Sequence, residues 1–360
     1  MTEGGSSFKG AGEEWPKVAI IILNWNGWRD TIECLESLYQ ITYPNYEVIV
    51  VDNGSEDESI EKIRAYCEGT IEVKSKFFKY DSINKPIKIL EHMRGKARTE
   101  GGKKEEIDDM TSIQKLIILI NEKNYGFAEG NNIGIKHALK LWAPKYYLLL
   151  NNDTIVDKNF LTGLVKCAET DEFIGIVGPK VYYYDFENRE DVLHSVGARI
   201  NIIKGDARPI GAREIDLGQY NSRREADYLE GACILIRGDL LKYVGYFNID
   251  YFLYWEETDL CFRAKKSNYK VIYEPTSKIW HKISKKSLSK SRVYYQTRNL
   301  FLFVQNNSND VEKALFLLYF IFYRFWFVLI ILIFYYRNID LITAYFRGNV
   351  DGIKFIEVKY

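Results

Sequence analysis

Four apolar runs in this chain end abruptly in polar side chains of the kind that bind or react. "VAIIIL" (residues 18–23) runs into Asn24, "YEVIVV" (46–51) into Asp52, "KLIILIN" (115–121) into Asn124 three residues on, and "YYLLL" (146–150) into Asn151-Asn152-Asp153. Asparagine and aspartate also close turns by bonding their own backbone, so one such ending carries little weight and the set of four carries more. Asp52 is suited to accept hydrogen bonds from a ribose hydroxyl or a base N–H. Asp153 is suited to ligate a hard divalent cation through oxygen, as magnesium at phosphates usually is. Further on, Trp255-Glu256-Glu257-Thr258-Asp259 places three acids within four residues at the start of a predicted helix. Helix-dipole electrostatics explains Asp259, which can also pair with Arg263 one turn later. It explains the adjacent Glu256-Glu257 less well, because neighbouring like charges raise each other's pKa and are characteristic of general acid/base sites. His281, in "IWHK", directly follows the last predicted strand.

The elements that must position these residues alternate. Helices are expected over residues 31–39, 57–66 and 128–141 between the four strands. Further strands are expected at 174–181, within 227–237 and at 271–273, with a helix at 258–267. Strands alternating with helices indicate an α/β fold with a mostly parallel sheet, whose ligand crevice lies along the carboxyl edges of the strands. Residues 74–114 are charged, carry Gly95, Gly101 and Gly102, and exceed a normal connection, so a surface insertion outside the sheet is expected there. Residues 1–14, rich in Gly, Ser and Glu and without an apolar core, read as a disordered tail rather than a signal peptide.

Composition narrows the function. Lysine and arginine total 49 against 49 acids, so no global attraction to a polyanion exists and nucleic acid is not an expected partner. The five cysteines are odd in number and form no CxxC pair, which argues against a disulfide framework or a zinc site and fits a reducing compartment. The glycines of "GFAEGNNIG" (126–134) are four apart, unlike the dinucleotide fingerprint, and no phosphate-cradling GxxxxGK[ST] loop is present. A bound phosphate must then be neutralised by a metal or by side chains.

In order along the chain, "ILNWNG", "VVDNGSED", "NYGFAEGNN", "LLLNND", "GPKV", "EGACILIR", "YWEETDLCFR" and "IWH" resemble the family 2 glycosyltransferases of GT-A fold, in their rhamnosyltransferase-like subgroup, over residues 17–286. The resemblance implies inverting transfer of a sugar from a nucleotide-sugar donor to an acceptor hydroxyl of a lipid-linked saccharide or surface glycan, assisted by Mg2+ or Mn2+. It implies that Asp153 and His281 hold the metal, that Asn152 neighbours the diphosphate or donor sugar, and that Asp52 binds base or ribose with Asn24 and Asn131 lining the same pocket. It further implies that Glu257 is the general base, with Asp259 the lesser candidate. Two departures stand out: Asn151 occupies the place of the first Asp in the metal motif, and Glu257 stands where Asp is more usual. The departing metal motif keeps open a non-catalytic nucleotide-sugar-binding protein, and the sheet alone also suits a nucleotidyltransferase.

Residues 314–336, "ALFLLYFIFYRFWFVLIILIFYY", are apolar or aromatic throughout except for Arg324. About 20 such residues cross a hydrocarbon core. A central arginine costs about 2.5 to 3.5 kcal/mol on insertion scales. A helix lying in the membrane interface suits the same composition, and a buried core helix is the third option. Basic residues flank both ends, so charge does not orient the segment. The expected organisation is a catalytic domain over residues 15–300 on the cytoplasmic side of a cell membrane, joined to a membrane-associated region over 301–360.

Overall fold

The computed structural model describes residues 15–93, 115–283 and 288–356. The chain enters through β1 (Val18–Asn24), α1 (Trp28–Leu38), β2 (Tyr46–Asp52) and α2 (Ser59–Cys67). It continues through β3 (Lys88–Met93), β4 (Lys115–Ile120), α3 (Gly126–Trp142), β5 (Tyr146–Asn151), β6 (Thr154–Val156) and α4 (Phe160–Glu169). Then follow β7 (Ile174–Tyr183), β8 (Leu193–Ser195), the hairpin β9 (Ala198–Asn201) and β10 (Asp206–Pro209), β11 (Arg224–Glu225), β12 (Cys233–Arg237) and α5 (Gly238–Val244). The chain closes with α6 (Glu256–Lys266), β13 (Lys270–His281), α7 (Lys290–Asn307), α8 (Asp310–Tyr336) and α9 (Ile339–Ile353).

One sheet dominates, in the order β11-β13-β7-β12-β5-β1-β2-β4-β3. β5, β1, β2, β4 and β3 run parallel to one another. β12 lies antiparallel between β5 and β7, and β13 runs parallel to β7. The strands β1, β2 and β5 are apolar over most of their length because both sheet faces are covered, which is why they read as continuous runs rather than alternating ones. α3 can approach the sheet closely only because Gly130 and Gly134 face it: a Cβ at Gly134 would stand 2.6 Å from a methyl of Ile21.

Two expectations are corrected. Residues 74–114 are not wholly outside the sheet, since β3 pairs in parallel register with β4 and forms the sheet's edge; residues 94–114 lie outside the described ones. The last strand is not a short stretch at 271–273 but the twelve residues of β13, broken by a register shift between Glu274 and Lys278, so His281 ends the strand instead of following it. Its apolar signal was cut short by Glu274, Pro275, Thr276 and Ser277, which occupy that irregularity. The expected strand within 227–237 is β12, residues 233–237, running antiparallel between β5 and β7. The short strands β6, β8, β9, β10 and β11 had no legible signal of their own.

Candidate active site

The parallel strands deliver their carboxyl ends to one edge of the sheet, and the polar residues there are joined. Asn24, fully buried, donates through Nδ2 to Asp52 Oδ1 at 2.8 Å and accepts from Thr31 Oγ1 at 2.8 Å. Asn152 Nδ2 donates to Thr31 Oγ1 at 3.0 Å, bringing the end of β5 into the same network. Asp52 accepts from Ser55 Oγ at 2.6 Å and from Ser55 N–H at 3.0 Å, so both its oxygens are engaged within its own loop. It is 2% exposed. The carboxylate expected to meet base or ribose thus orders the loop after β2, and Trp25, which follows Asn24, is 55% exposed.

Asn131 stands apart from this network, its Nδ2 donating to Phe127 O one turn back in α3. Asn124 is likewise a loop holder, accepting from Asn53 Nδ2 at 3.0 Å and from Gly126 N–H at 2.8 Å.

Asp153 and His281 converge: Asp153 Oδ1 lies 3.1 Å from His281 Nε2. β6 pairs antiparallel with the end of β13, and Lys282 N–H donates to Asp153 O at 2.8 Å, which fixes the two residues side by side. Burial works against charge at both positions, but their mutual attraction wins. It holds the Asp153 carboxyl below its ordinary range and the His281 imidazole above its own. Lys282 closes the back of the site by pairing with Asp30 at 2.6 Å and Glu33 at 2.5 Å, both on α1.

Two further residues belong here that the sequence did not single out. The Glu230 carboxylate lies 2.7 Å from His194 Nδ1, and the His194 ring meets the His281 ring edge to face at 5.8 Å between centroids. Glu230 is thereby joined to the metal-type pair through His194, and the next residue, Gly231, faces the Glu257 side chain: a Cβ there would stand 3.7 Å from Glu257 Cγ. "EGACILIR" contained Glu230, but no local spacing tied it to a histidine 36 residues earlier.

Glu256 and Glu257 open α6 from a loop under backbone tension. Phe252, Tyr254 and Trp255 all have positive φ, at 62°, 70° and 79°, a region costly for bulky residues and concentrated at functional sites. Asn299 on α7 pins this loop by donating through one amide nitrogen to the carbonyls of Tyr251, Leu253 and Tyr254 at 2.7 to 2.9 Å. Burial, with the charge of Glu230 adding and nearby backbone N–H groups opposing, pushes the Glu257 carboxyl up to about 7. Burial and then the charge of Glu257 raise Glu256 well above the ordinary glutamate range. Among the described residues, one oxygen of each glutamate is buried without a hydrogen-bond partner. Asp259 is instead fully engaged, by Arg263 Nε at 2.7 Å, Tyr251 OH at 3.2 Å and Asn307 Nδ2 at 2.9 Å. Its role is to hold α6 against α7.

Asp153 and His281 suit a divalent cation that keeps open positions. Among the described residues no three His, Cys, Asp or Glu side chains gather into a full protein cage. A carboxylate and an imidazole side by side, with Asp153 a third exposed, match a cation whose remaining ligands are phosphate oxygens and water.

Comparison with known proteins identifies the family. The family model "Glycosyl transferase family 2" matches residues 19–86, and "Glycosyltransferase like family 2" matches 105–301. A low-salt glycan biosynthesis hexosyltransferase of Haloferax volcanii is 27% identical over 145 residues, 40% of this chain and 45% of that protein. A dTDP-rhamnosyl transferase of Shigella flexneri is 24% identical over 216 residues, 56% of this chain and 67% of that one. An N-acetylglucosaminyl-diphospho-decaprenol L-rhamnosyltransferase of Mycobacterium tuberculosis is 35% identical over 60 residues, 17% of this chain and 20% of its own. The chain thus spans less than half the length of the first of these relatives. Among solved structures, a mannosyltransferase from Pyrobaculum calidifontis in complex with GDP-Man and Mn2+ superposes with a TM-score of 0.53 at 14% identity, covering 96% of this chain and 89% of that one. GalNAc-T7 with UDP, GalNAc and Mn2+ superposes with a TM-score of 0.55 at 15% identity, over 80% and 48%. At such identities the likeness establishes the GT-A fold.

Proposed function

The chain belongs to glycosyltransferase family 2, and from that premise we propose that it is an inverting glycosyltransferase. It would move a hexose or deoxyhexose from a nucleotide-sugar donor to a hydroxyl of a lipid-linked saccharide or glycan precursor at the cytoplasmic face of a membrane. The single observation that carries the reading is the chain of contacts beyond the carboxyl edge of the sheet, from Asp153 to His281, through the His194 ring to Glu230, with Glu257 packed beside Gly231.

In this reading Glu257 accepts the proton of the acceptor hydroxyl as that oxygen attacks the anomeric carbon. The bond to the leaving diphosphate breaks on the opposite face, so the configuration inverts. A carboxylate poised near neutrality suits this task, being ionised in a substantial fraction at neutral pH yet basic enough to take a proton. Asn24, Thr31 and Asn152 hold the crevice floor in shape, and Trp25 offers a face on which a base can stack. Asp153 and His281 would hold a Mg2+ or Mn2+ ion, which when bound offsets the negative charge on the departing diphosphate. The relatives that transfer rhamnose, one of them onto a diphospho-decaprenol carrier, support a deoxyhexose donor and a lipid-linked acceptor.

Substitution Glu257→Gln tests the reading. The expected result is a fall in kcat of roughly 100-fold to 10,000-fold with donor affinity nearly unchanged. Retained turnover would remove Glu257 as the base. The product distinguishes the alternatives: a sugar transfer releases a nucleoside mono- or diphosphate, a nucleotidyltransferase releases pyrophosphate from a nucleoside triphosphate, and a binding protein releases neither.

A further inference from the structure

α8 is the one helix among the described residues long and apolar enough to cross a membrane, at 27 residues and a mean hydropathy of 2.4 over its most apolar window. Its surroundings do not suit a crossing. α7 lies antiparallel against it: Leu300 and Phe301 meet the start of α8 at Phe316 and Phe320, while Val293 meets its end at Leu332. α7 carries Lys290, Arg292 and Arg298, and Lys290 pairs with Asp340 on α9 at an exposed site. The turn of the β9–β10 hairpin packs against the middle of α8, where Gly205 abuts Phe316 and Lys204 O accepts from Arg324 Nη1 at 3.2 Å. A perpendicular crossing would drag several charged groups of α7 and the hairpin into hydrocarbon, at about 2.5 to 3.5 kcal/mol each.

The opposite face of α8 is bare and apolar along its whole length. Val311, Leu315, Leu318, Phe322, Trp326 and Ile330 recur every three or four residues and are 42 to 77% exposed. Two π-helical stretches, Phe320–Arg324 and Ile331–Tyr336, interrupt the α-helical winding, yet the exposed face stays continuous across them. Arg324 is half-buried on the protein side, beside Gln296 and Thr297, and so lies outside this stripe. α9 extends the stripe with Ile339, Phe346, Val350 and Ile353.

We infer that α8 and α9 form a seat lying parallel to the plane of a lipid bilayer, with the stripe sunk into one leaflet and neither helix crossing. Aromatic side chains with polar tips, Tyr323, Trp326, Tyr335 and Tyr336, crowd the exposed face, and side chains of that kind favour the headgroup boundary. Exposed cations at Arg337 and Arg347 complement anionic headgroups. The seat adjoins the base: Trp255, next to Glu256, packs on Phe303 of α7 at 5.0 Å between rings, and Asn299 holds the loop before it. A hydroxyl carried on a lipid in that leaflet would therefore reach the acidic side of the crevice. This inference deepens the membrane part of the proposed function and depends on it only for the nature of the acceptor.

The test uses the full chain added to the outside of preformed, sealed vesicles of phosphatidylethanolamine and phosphatidylglycerol. The five native cysteines are buried, so single cysteines report cleanly. Asp310→Cys and Asp340→Cys bracket α8 at exposed positions. Both should react with a membrane-impermeant maleimide from outside while the protein floats with the vesicles. Protection of either cysteine means a crossing and overturns the inference. Phe322→Asp with Trp326→Asp should lower partitioning onto the vesicles roughly 100-fold or more, and undiminished flotation of that variant would overturn it too. A wild-type chain that stays off the vesicles and sediments as a dimer through the same stripe would assign the face to a second copy and overturn it. The released double variant should still turn over a soluble acceptor analogue. That activity separates loss of the seat from failure of the catalytic reading, for which Glu257→Gln on the same analogue is the control.

Discussion

At the scale of single residues, burial and neighbouring charge have divided the acids of this crevice into different tasks. Asp153, beside an imidazole, is held ionised, and Glu257, with one oxygen unpartnered and Glu230 nearby, is raised to about 7. With Glu257 as the proposed base, only its ionised form takes the proton, so kcat should fall on the acid side with an apparent pKa near 7, well above the 4.5 of a free glutamate. An acid limb that stayed near 4.5 in a pH–rate profile would contradict this. The same shift has a stability counterpart of fixed sign. The folded chain disfavours the charged form, so this group's contribution turns unfavourable as pH rises from about 4.5 through about 7. Asp153→Ala should raise the metal concentration for half-maximal donor binding by roughly 10-fold or more, read by titrating Mn2+ or Mg2+ against a donor-binding signal. Unchanged metal dependence in that variant would count against its assignment.

At the scale of elements, the loop before α6 and the helix α7 act as a pair. Three residues of that loop have positive φ, and Asn299, fully buried on α7, donates to the carbonyls of Tyr251, Leu253 and Tyr254 within it. Asn299→Ala leaves three carbonyls short of a donor, which should cost about 1 to 3 kcal/mol of unfolding free energy in a denaturant titration. It should also lower kcat more than it weakens donor binding, because the base moves while the metal-type pair does not. A variant with wild-type stability and turnover would show that the loop holds its shape unaided. Elements also decided what could be read in advance. Runs such as "VAIIIL" and "YYLLL" announced strands because both faces of those strands are buried. β3, with Lys88, Glu91 and His92 among its six residues, sits at the sheet edge and resembles surface chain.

At the scale of the whole molecule, the sheet is both scaffold and alignment device. β5 lies between β1 and β12 and carries Asn152 and Asp153 beyond its end, so damage to its core reaches the site. Leu148, fully buried in the middle of β5, should cost about 2 to 5 kcal/mol when cut to Ala, read from the denaturant midpoint. A cost under 1 kcal/mol would mean that the core collapses to fill the space.

The sequence by itself determined the α/β class, the parallel run of strands, the polar strand ends and the paired glutamates, because each is a local signal: burial on both faces, a turn, or adjacent like charges. Only the tertiary structure decided which of these residues meet. His194, Glu230 and His281 come from β8, the turn before β12 and the end of β13, and sheet order rather than spacing puts them together. It also decided that Asp52 spends both oxygens on its own loop while Asp153 keeps a third of its side chain open, a difference that two aspartates at strand ends do not disclose in one dimension. The hydropathy of α8 is a property of its composition, but which face of it is bare depends on what packs against the other.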